Sequence, residues 1–334
     1  MSEDATSPRD RPQQGVVVIG RNEGERLRRC LLSCAASGIC VYVDSESTDG
    51  SVALARELGV EVLPLDMSRG FTAARARNEG FRRLQAMAPD LEFVTFVDGD
   101  CELFSDWRAE ATAFLRSHPE VVAVCGRRRE RFPDASVYNQ LCDIEWNTPT
   151  GEVRSFGGDV LIRARALSAV GGYRDDLIAG EEPELCVRLR AAGGRIWRLD
   201  RDMTWHDAAM TRWVQWWRRY MRSGYAFAEG AALHGAPPER HFVSEARRAL
   251  VWGAAIPLAI LMAATLGSPW MLLLIGLYPL QWVRIGAKLA RAGSPIPWAR
   301  AAFLLMGRFP EAQGGLKFWF GRLFGQRSAI IEYK

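Results

Sequence analysis

The sequence predicts an α/β protein whose sheet is built largely from parallel strands, followed by an apolar helical region. Short apolar runs alternate with runs of helical periodicity over residues 15–97. A βαβαβαβ series of this kind pairs its strands in parallel through right-handed crossovers. Acidic residues follow the predicted strands at two points, and from residue 249 onwards long uncharged apolar runs replace the alternation.

The predicted elements follow one another closely along the chain. An apolar pattern at positions 27, 30, 31 and 34 predicts the first helix, and Asn22 with Glu25 before it resembles a capping box. The remaining predicted strands and helices are strands at 16–19, 40–43, 60–65, 91–97, 121–125, 195–199 and within 156–163, and helices at 51–58, 72–87, 182–192 and 211–230.

Composition and charge set limits on the class of protein. The chain is 48% hydrophobic and 25% charged, which is typical of a folded domain, and its net charge of +4 predicts no nucleic-acid partner. Seven scattered cysteines without CxxC spacing predict reduced, mostly buried thiols rather than a disulfide scaffold or a zinc site. Residues 1–14 are polar and lack an apolar core, so we predict a disordered tail and not a signal peptide.

The apolar C-terminal region predicts a membrane hairpin over about residues 249–286. The runs 250–266 and 270–283 carry no charge, although each is slightly short of the roughly 20 residues that span a bilayer. Basic residues flank both outer ends, which predicts that these ends face the cytoplasm at the inner membrane. The alternative is a buried helical hairpin in a soluble protein. The aromatic and basic segment from residue 316 to 327 is predicted to lie at the membrane interface.

Two acidic residues end the predicted strand at 91–97. Asp98 and Asp100 are spaced i, i+2 after a buried strand, where carboxylates are costly unless a positive charge meets them. Carboxylate oxygens suit Mg²⁺ or Mn²⁺, which could bridge them to a diphosphate and stabilise it as a leaving group. Asp44 ends the second strand, where an acidic residue can accept hydrogen bonds from a ribose or a base. Asp49 and Ser51 are interpreted as caps of the next helix.

Several segments together resemble one enzyme family. They are Val17-Val-Ile-Gly-Arg-Asn-Glu23, Asp44-Ser-Glu-Ser-Thr-Asp-Gly-Ser51, Ala74-Arg-Ala-Arg-Asn-Glu-Gly80, Phe96-Val-Asp-Gly-Asp100, Gly157-Gly-Asp159 and Gly180-Glu-Glu-Pro-Glu-Leu185. In this combination and order the chain resembles a family 2 glycosyltransferase of the membrane-associated, bacterial polysaccharide or glycolipid type. The resemblance implies the GT-A fold, a Rossmann-like mixed sheet flanked by helices, over residues 15–230, with a membrane-associated region at 231–334. It also implies inverting transfer from a nucleoside-diphosphate sugar to a hydroxyl acceptor.

The resemblance also implies roles for individual residues. The donor would be held by Arg21, Asn22, Glu23, Asp44, Arg77, Asn78 and Asp98, the metal by Asp100 and Asp98, and the acceptor side would include Gly158, Asp159 and Glu181. Glu182 would be the catalytic base, although the family usually has an aspartate there. We expect the helix N-terminus to keep Glu182 ionised. The alternative is that Glu181 and Glu182 are ordinary first-turn helix acids.

Three further residues have open interpretations. His206 is either a third metal ligand, as in some relatives, or a structural histidine. Arg212 and Trp213 begin a segment that resembles the Gln-x-x-Arg-Trp motif of processive relatives, but Gln215 is out of register. These residues either close over the donor or belong to an amphipathic interfacial helix.

The sequence therefore predicts a metal-dependent transferase with an acceptor that is lipid-linked or membrane-proximal. Two alternatives remain at this point. A sugar nucleotidyltransferase uses a similar sheet, but the loop at 20–24 is a poor match to its glycine-rich loop. A non-catalytic membrane scaffold that binds nucleotide sugars is the other.

Overall fold

The structure, a computed structural model, describes residues 14–35 and 38–325. The predicted tail therefore lies outside the described residues except for Gln14, and so does the end of the predicted interfacial segment beyond residue 325. The chain divides into two compact units. The first comprises residues up to 133, 145–177 and 181–208, and the second comprises 134–144, 178–180 and 209 onwards.

One mixed sheet forms the centre of the first unit. Its nine strands, counted over the described residues, are β1 (Gln14–Gly20), β2 (Ile39–Asp44), β3 (Glu61–Pro64), β4 (Phe93–Asp98), β5 (Cys101–Leu103), β6 (Val121–Glu130), β7 (Gly151–Glu152), β8 (Val160–Arg163) and β9 (Arg195–His206). Their order is β3-β2-β1-β4-β8-β6-β9-β5, and β7 pairs with β9. β1, β2, β3 and β4 pair in parallel, as the βα alternation predicts, whereas β8 runs antiparallel to β4 and β6.

Helices flank the sheet and make up the second unit. They are α1 (Glu25–Ala35), α2 (Ser51–Glu57), α3 (Ala73–Met87), α4 (Trp107–Ser117), α5 (Val137–Trp146), α6 (Ala164–Ala169), α7 (Glu181–Ala191), α8 (Trp213–His234), α9 (Val243–Leu250), α10 (Ile256–Thr265), α11 (Trp270–Arg291), α12 (Pro297–Met306) and α13 (Arg308–Leu323). A π-helical turn at Val251–Ala255 joins α9 to α10.

The core of the first unit forms where α1 and α3 cover the central strands. Val16, Val17 and Val18 of β1 are fully buried, which explains the continuous apolar run. The predicted apolar face of α1 is fully buried as well. Gly80 lets α3 approach closely, since a Cβ there would lie 2.4 Å from a methyl group of Val17. This close contact between the helix and the sheet fixes the positions of the strand ends relative to one another.

Two strands are longer than predicted. β6 continues past the predicted end at Cys125 to Glu130, and β9 continues past Leu199 to His206. The two extensions pair with each other in parallel through register shifts. The many charged residues of these segments are typical of a loop. In the fold, however, charges such as Arg129 pair with residues on the neighbouring strand, here Asp202. The extensions carry Glu130 and His206 to the same edge of the sheet as the end of β4.

The second unit is held together by close helix contacts. A Cβ on Gly224 of α8 would lie 1.9 Å from the carbonyl oxygen of Glu311 in α13, and one on Gly314 would lie 1.9 Å from that of Met221. Glycine at both positions therefore lets the two backbones touch. The aromatic rings of Tyr225 and Phe318 then pack edge to face at 5.4 Å.

The predicted hairpin forms two exposed helices. Val243–Thr265 and Trp270–Arg291 are 23 and 22 residues long, and their most apolar stretches have mean hydropathies of 1.6 and 1.2. Only 6% of each stretch is buried, so these helices are not the core of a soluble hairpin. By length and composition both are candidates for membrane spans. The compact units place all of α8 in the second unit, which includes residue 209 onwards, and the predicted domain boundary at residue 230 stays a prediction.

Candidate active site

Four strand ends bring the predicted site residues to one edge of the sheet. The register pairs Gly20 with Asp44, and Ile19 with Asp98, across the parallel strands β2, β1 and β4. His206, the last residue of β9, pairs with Cys101, which follows directly after the turn that leaves β4. This is the carboxyl edge, where ligands of parallel sheets bind.

The loop after β1 is tied to the loop after β2. Asn22 has a positive φ of 56° and its side-chain oxygen accepts a hydrogen bond from the backbone N–H of Thr48 at 2.7 Å. The backbone N–H of Asn22 donates to the hydroxyl of Ser47 at 2.9 Å, and that of Gly24 donates to Asp49 at 3.0 Å. Asn22 therefore joins two loops, and the capping-box prediction is wrong. Asp49 also accepts from the backbone N–H and the hydroxyl of Ser51, the first residue of α2, whereas the N-cap residue of this helix is Gly50, so Ser51 does not cap it as predicted.

The Asp44 carboxylate is buried at the base of these two loops. It is 4% exposed and accepts hydrogen bonds from the hydroxyl of Tyr42 at 2.8 Å and the backbone N–H of Ser47 at 2.9 Å. Arg21 is exposed at the rim, and Glu23 pairs with Arg26 at 2.8 Å. Arg21, Glu23 and Asp44 are thus grouped at the end of β1 and β2, as their predicted common role requires.

Arg77 connects three carboxylates at the ends of β4 and α7. Its Nη1 lies 2.9 Å from Oε1 of Glu181, and its Nη2 lies 2.9 Å from Oδ1 of Asp98 and 3.1 Å from Oε1 of Glu182. The Arg77 side chain is only 3% exposed. Burial disfavours its charged form, but Glu182, Asp98 and Glu181 outweigh this effect and raise the pKa of Arg77 well above its usual value.

The Glu182 carboxyl has an unusually high pKa. Burial is the largest cause and the neighbouring Glu181 carboxylate adds to it, while Arg77 opposes both, and the net effect raises the pKa to about 7. The helix N-terminus therefore does not keep this acid as strongly ionised as the sequence suggested. A carboxyl group with a pKa near neutrality, 17% exposed in a polar cluster, has the properties of a general base.

A second arginine braces the other side of Asp98. Arg128 of β6 contacts Asp98 at 3.2 Å and Asp159 at 2.8 Å, and Asp159 also accepts from the hydroxyl of Thr204 at 2.7 Å. A Cβ on Gly158 would lie 2.3 Å from an Asp98 oxygen, so only glycine leaves room for this arrangement. Gly158 and Asp159 thus shape the Asp98 environment.

Asp100 and His206 meet at the tip of the sheet. Nε2 of His206 lies 3.2 Å from Oδ2 of Asp100, and both side chains are at least nine-tenths buried. Together with Cys101 their ligand atoms lie within 4.8 Å of one another. Carboxylates suit Mn²⁺ and Mg²⁺, and imidazole suits transition metals, so the predicted pair Asp100 and His206 fits a divalent cation and fits Mn²⁺ better than Mg²⁺. Asp98 lies between the two arginines, and with Cys101 and Asp159 it forms a second group of candidate ligand atoms within 4.8 Å of one another, so its predicted role as a metal ligand stays a prediction.

Asn78 stabilises a loop of the first unit. Its side-chain nitrogen donates to the backbone oxygen of Tyr173 and to Asp175, both at 2.7 Å, and its oxygen accepts from the Tyr173 N–H at 2.9 Å. Gly172 allows this contact, since a Cβ there would lie 2.5 Å from the amide oxygen. The donor-side role predicted for Asn78 stays a prediction.

Sequence reasoning missed three residues at this edge. Arg128 and Glu130 are two residues apart on the extension of β6, so their side chains lie on the same face of the strand, towards the cluster. The signal that could have found them is this spacing of two within the arginine-rich run 127–131. The Trp146 ring lies 4.7 Å from His206, nearly perpendicular to it, and the Arg128 guanidinium lies 5.6 Å from its centre.

Arg212 and Trp213 lie in the second unit, at the start of α8. The side-chain oxygen of Gln215 accepts from the backbone N–H of Arg212 at 2.9 Å, so Gln215 caps this helix. Trp213 is 41% exposed and packs against Trp216 with ring centres 4.5 Å apart and planes tilted by 34°. Their proposed closure over the donor stays a prediction.

Comparisons with known proteins identify the family. Residues 15–163 match the family described as Glycosyl transferase family 2. The succinoglycan biosynthesis protein ExoA of Rhizobium meliloti (strain 1021) is 30% identical over 274 residues, which cover 75% of this chain and 80% of ExoA. The chain belongs to glycosyl transferase family 2. This membership confirms the predicted family and its enzyme class.

Solved structures of low sequence identity share the fold of this family 2 chain. The mannosyltransferase PcManGT from Pyrobaculum calidifontis, solved in complex with GDP-Man and Mn²⁺, has a TM-score of 0.62 at 21% identity, covering 95% of this chain and 90% of PcManGT. TarS residues 1–349 from S. aureus have a TM-score of 0.51 at 15% identity, covering 94% and 92% of the two chains. The predicted GT-A fold is thus confirmed.

Proposed function

We propose that this family 2 glycosyltransferase catalyses inverting, metal-dependent transfer from a nucleoside-diphosphate sugar to a hydroxyl of a membrane-bound acceptor. The observation that carries the proposal is the position of Glu182, whose carboxyl has a pKa of about 7 and contacts Arg77 beside Asp98. A base with this pKa is half ionised near neutral pH and can also hold the proton that it accepts.

Glu182 would take the proton of the acceptor hydroxyl as that oxygen attacks the anomeric carbon. A hydroxyl is a weak nucleophile until a positioned base removes its proton. In-line attack opposite the departing diphosphate inverts the anomeric centre. Arg77 would hold Glu182 in place, since the guanidinium nitrogen that contacts Glu182 is itself fixed by Asp98.

Asp100 and His206 would hold the divalent cation, and Asp98 would act through its two arginines. The cation supplies positive charge against the diphosphate as the leaving group departs. The complex of PcManGT with GDP-Man and Mn²⁺ supports both the donor class and the metal. Arg21, Asn22, Glu23 and Asp44, which the two tied loops bring together, would bind the nucleoside.

The second unit would anchor the enzyme at the inner membrane with its catalytic unit in the cytoplasm. Two exposed apolar helices long enough to span a bilayer support this location. Exposed apolar side chains also form one stripe along α13 and the residue that follows it, at positions 316, 319, 320, 323 and 324, which is spaced for a helix lying in the interface. Anchoring favours a lipid-linked acceptor, and the name of ExoA supports a role in polysaccharide biosynthesis.

The test is a panel of nucleotide sugars assayed with the full chain in nanodiscs, with Mn²⁺, Mg²⁺ or a chelator. We expect one preferred donor, loss of turnover with the chelator, and an inverted anomeric centre in the product by NMR. Retained configuration would contradict the role of Glu182. Release of pyrophosphate from a nucleoside triphosphate would instead identify a nucleotidyltransferase, and donor binding without turnover on any membrane acceptor would identify a scaffold.

A further inference from the structure

We propose that Glu130 is a positioning residue that orients His206 so that its Nε2 faces the cation site at Asp100. The inference rests on the proposed function, because it assumes that Asp100 and His206 bind a divalent cation. It adds a residue outside the motifs that the sequence revealed, on a part of β6 that the sequence did not predict as a strand.

The register of the sheet places an acid on each side of His206. In β9, His206 pairs with Glu130 of β6 on one side and with Cys101 of β5, next to Asp100, on the other. Its Nε2 lies 3.2 Å from an Asp100 oxygen, and its Nδ1 lies 3.6 Å from Oε2 of Glu130. The imidazole therefore lies between two carboxylates, one for each ring nitrogen.

Glu130 is held firmly in this position. It is 1% exposed, and its two oxygens accept hydrogen bonds from the backbone N–H groups of Phe132 and Ala208, both at 3.1 Å. Phe132 follows the end of β6 and Ala208 follows the end of β9, so both hydrogen bonds depend on the sheet. Because backbone N–H groups fix this carboxylate, it can hold the histidine ring in one orientation.

The ring of His206 has little freedom to turn away. The residue is 6% exposed, and the Trp146 ring packs against it with centres 4.7 Å apart and planes at 77°. Nδ1 is buried and lies 3.6 Å from Oε2 of Glu130, so only a slight approach of the ring towards this fixed carboxylate is needed to form a hydrogen bond.

This hydrogen bond would select the tautomer of His206. With the proton on Nδ1, directed at Glu130, the lone pair of Nε2 points at the Asp100 carboxylate. Two acceptors 3.2 Å apart repel each other unless a positive charge lies between them. A histidine ligand commonly donates its other N–H to a carboxylate in this way, which fixes the ring and strengthens the metal bond.

The first experiment measures Mn²⁺ binding alone, by EPR titration of the full chain in nanodiscs. We expect Glu130→Ala and Glu130→Gln to weaken Mn²⁺ binding by about 10–100-fold, as loss of an outer carboxylate typically does. Glu184→Gln is the matched control, because Glu184 is equally buried at 1% exposure but pairs with Arg188 in α7. It should bind Mn²⁺ as the wild type does.

The second experiment reads the tautomer in the wild-type protein, so it does not depend on how a variant folds. The chain has four histidines, so ¹⁵N-histidine NMR gives few signals, and His206→Asn assigns the one of interest. With a saturating diamagnetic divalent cation such as Zn²⁺ in place of Mn²⁺, which would broaden the signals, we expect a proton on Nδ1 of His206. A proton on Nε2 in this cation-bound form, or equal Mn²⁺ affinity in Glu130→Ala and Glu184→Gln, would overturn the inference while leaving the proposed function intact. A wild-type protein that binds no Mn²⁺ would overturn both.

Discussion

Nη2 of Arg77 lies 3.1 Å from Oε1 of Glu182 and 2.9 Å from Oδ1 of Asp98. Arg77 is on α3, Asp98 ends β4, and Glu182 begins α7, so one side chain joins three elements. The proposed base is therefore coupled to the acid that begins the Asp-x-Asp motif. A change in any member of this cluster should affect both stability and catalysis.

Removing Arg77 should destabilise the first unit strongly. Arg77→Gln removes the cation that pairs with Glu181 and Glu182 and leaves Asp98 paired with Arg128, and breaking a buried ion pair in this way typically costs about 3–5 kcal/mol. Thermal unfolding measures the loss. The control is Arg83→Gln, because Arg83 pairs with Glu61 at the surface and should contribute only about 0–1 kcal/mol. Equal unfolding temperatures for the two variants would contradict the cluster described here.

The rate should rise with pH through the pKa of Glu182. The base must be ionised to accept a proton, so kcat/KM at saturating metal should increase as pH rises through about 7. Glu182→Gln should lower kcat by about 10²–10⁴-fold and abolish this rising limb of the pH profile. Donor binding, measured by calorimetry, should be retained. Glu184→Gln should keep both the rate and the limb. A profile with an unchanged limb in Glu182→Gln would assign the limb to another group.

The raised pKa of Glu182 also predicts how stability depends on pH. The Glu182 carboxyl ionises near its ordinary pKa of 4.5 in the unfolded chain and near a pKa of about 7 in the folded one, so unfolding releases a proton between these two pH values. This group therefore favours the folded state at low pH, and that contribution is lost as pH rises through about 7. Comparing wild type with Glu182→Gln by thermal unfolding isolates the effect: the difference should grow in favour of the glutamine variant from pH 5 to 8.

Two adjacent glycines should respond very differently to a methyl group. A Cβ on Gly158 would meet Asp98 at 2.3 Å and Arg128 at 2.9 Å, whereas one on Gly157 meets nothing within 4 Å. Gly158→Ala should cost about 1–3 kcal/mol, as overpacking typically does, and lower activity. Gly157→Ala should change stability by less than about 0.5 kcal/mol. Similar losses in both variants would mean that backbone conformation, not space, requires glycine here.

The sequence predicted those features that are determined by residues close together along the chain, and missed those that depend on residues far apart. The end of β4 and its acids could be predicted because a buried parallel strand is a continuous apolar run. The extensions of β6 and β9 could not, because the ion-pair partners of a charge such as Arg128 lie far along the chain, at Asp98 and Asp159. The pKa of Glu182 was misjudged for a related reason: helix position is a local property, whereas burial beside Glu181 belongs to the fold.

The apolar stripe of α13 should contact lipid. Replacing Phe320, which is 57% exposed, with cysteine permits labelling with an environment-sensitive dye, since all seven native cysteines are buried. In nanodiscs the dye should emit at shorter wavelength and resist a water-soluble quencher. Leu32→Cys, on the first unit and 54% exposed, is the control and should remain open to the quencher. Equal quenching at both positions would exclude an interfacial helix.

The two acids of the Asp-x-Asp motif should differ in what they bind. Asp100 faces His206, so Asp100→Asn should weaken Mn²⁺ binding beyond the roughly 10–100-fold typical of an outer-shell change. Asp98 lies between Arg77 and Arg128, so Asp98→Asn should lower the unfolding temperature and kcat while Mn²⁺ affinity measured without donor stays near that of wild type. EPR titration and thermal unfolding of both variants separate the two effects. If Asp98→Asn lost Mn²⁺ as completely as Asp100→Asn, both acids would bind the metal directly, and the arginines would have to release Asp98 when the cation enters.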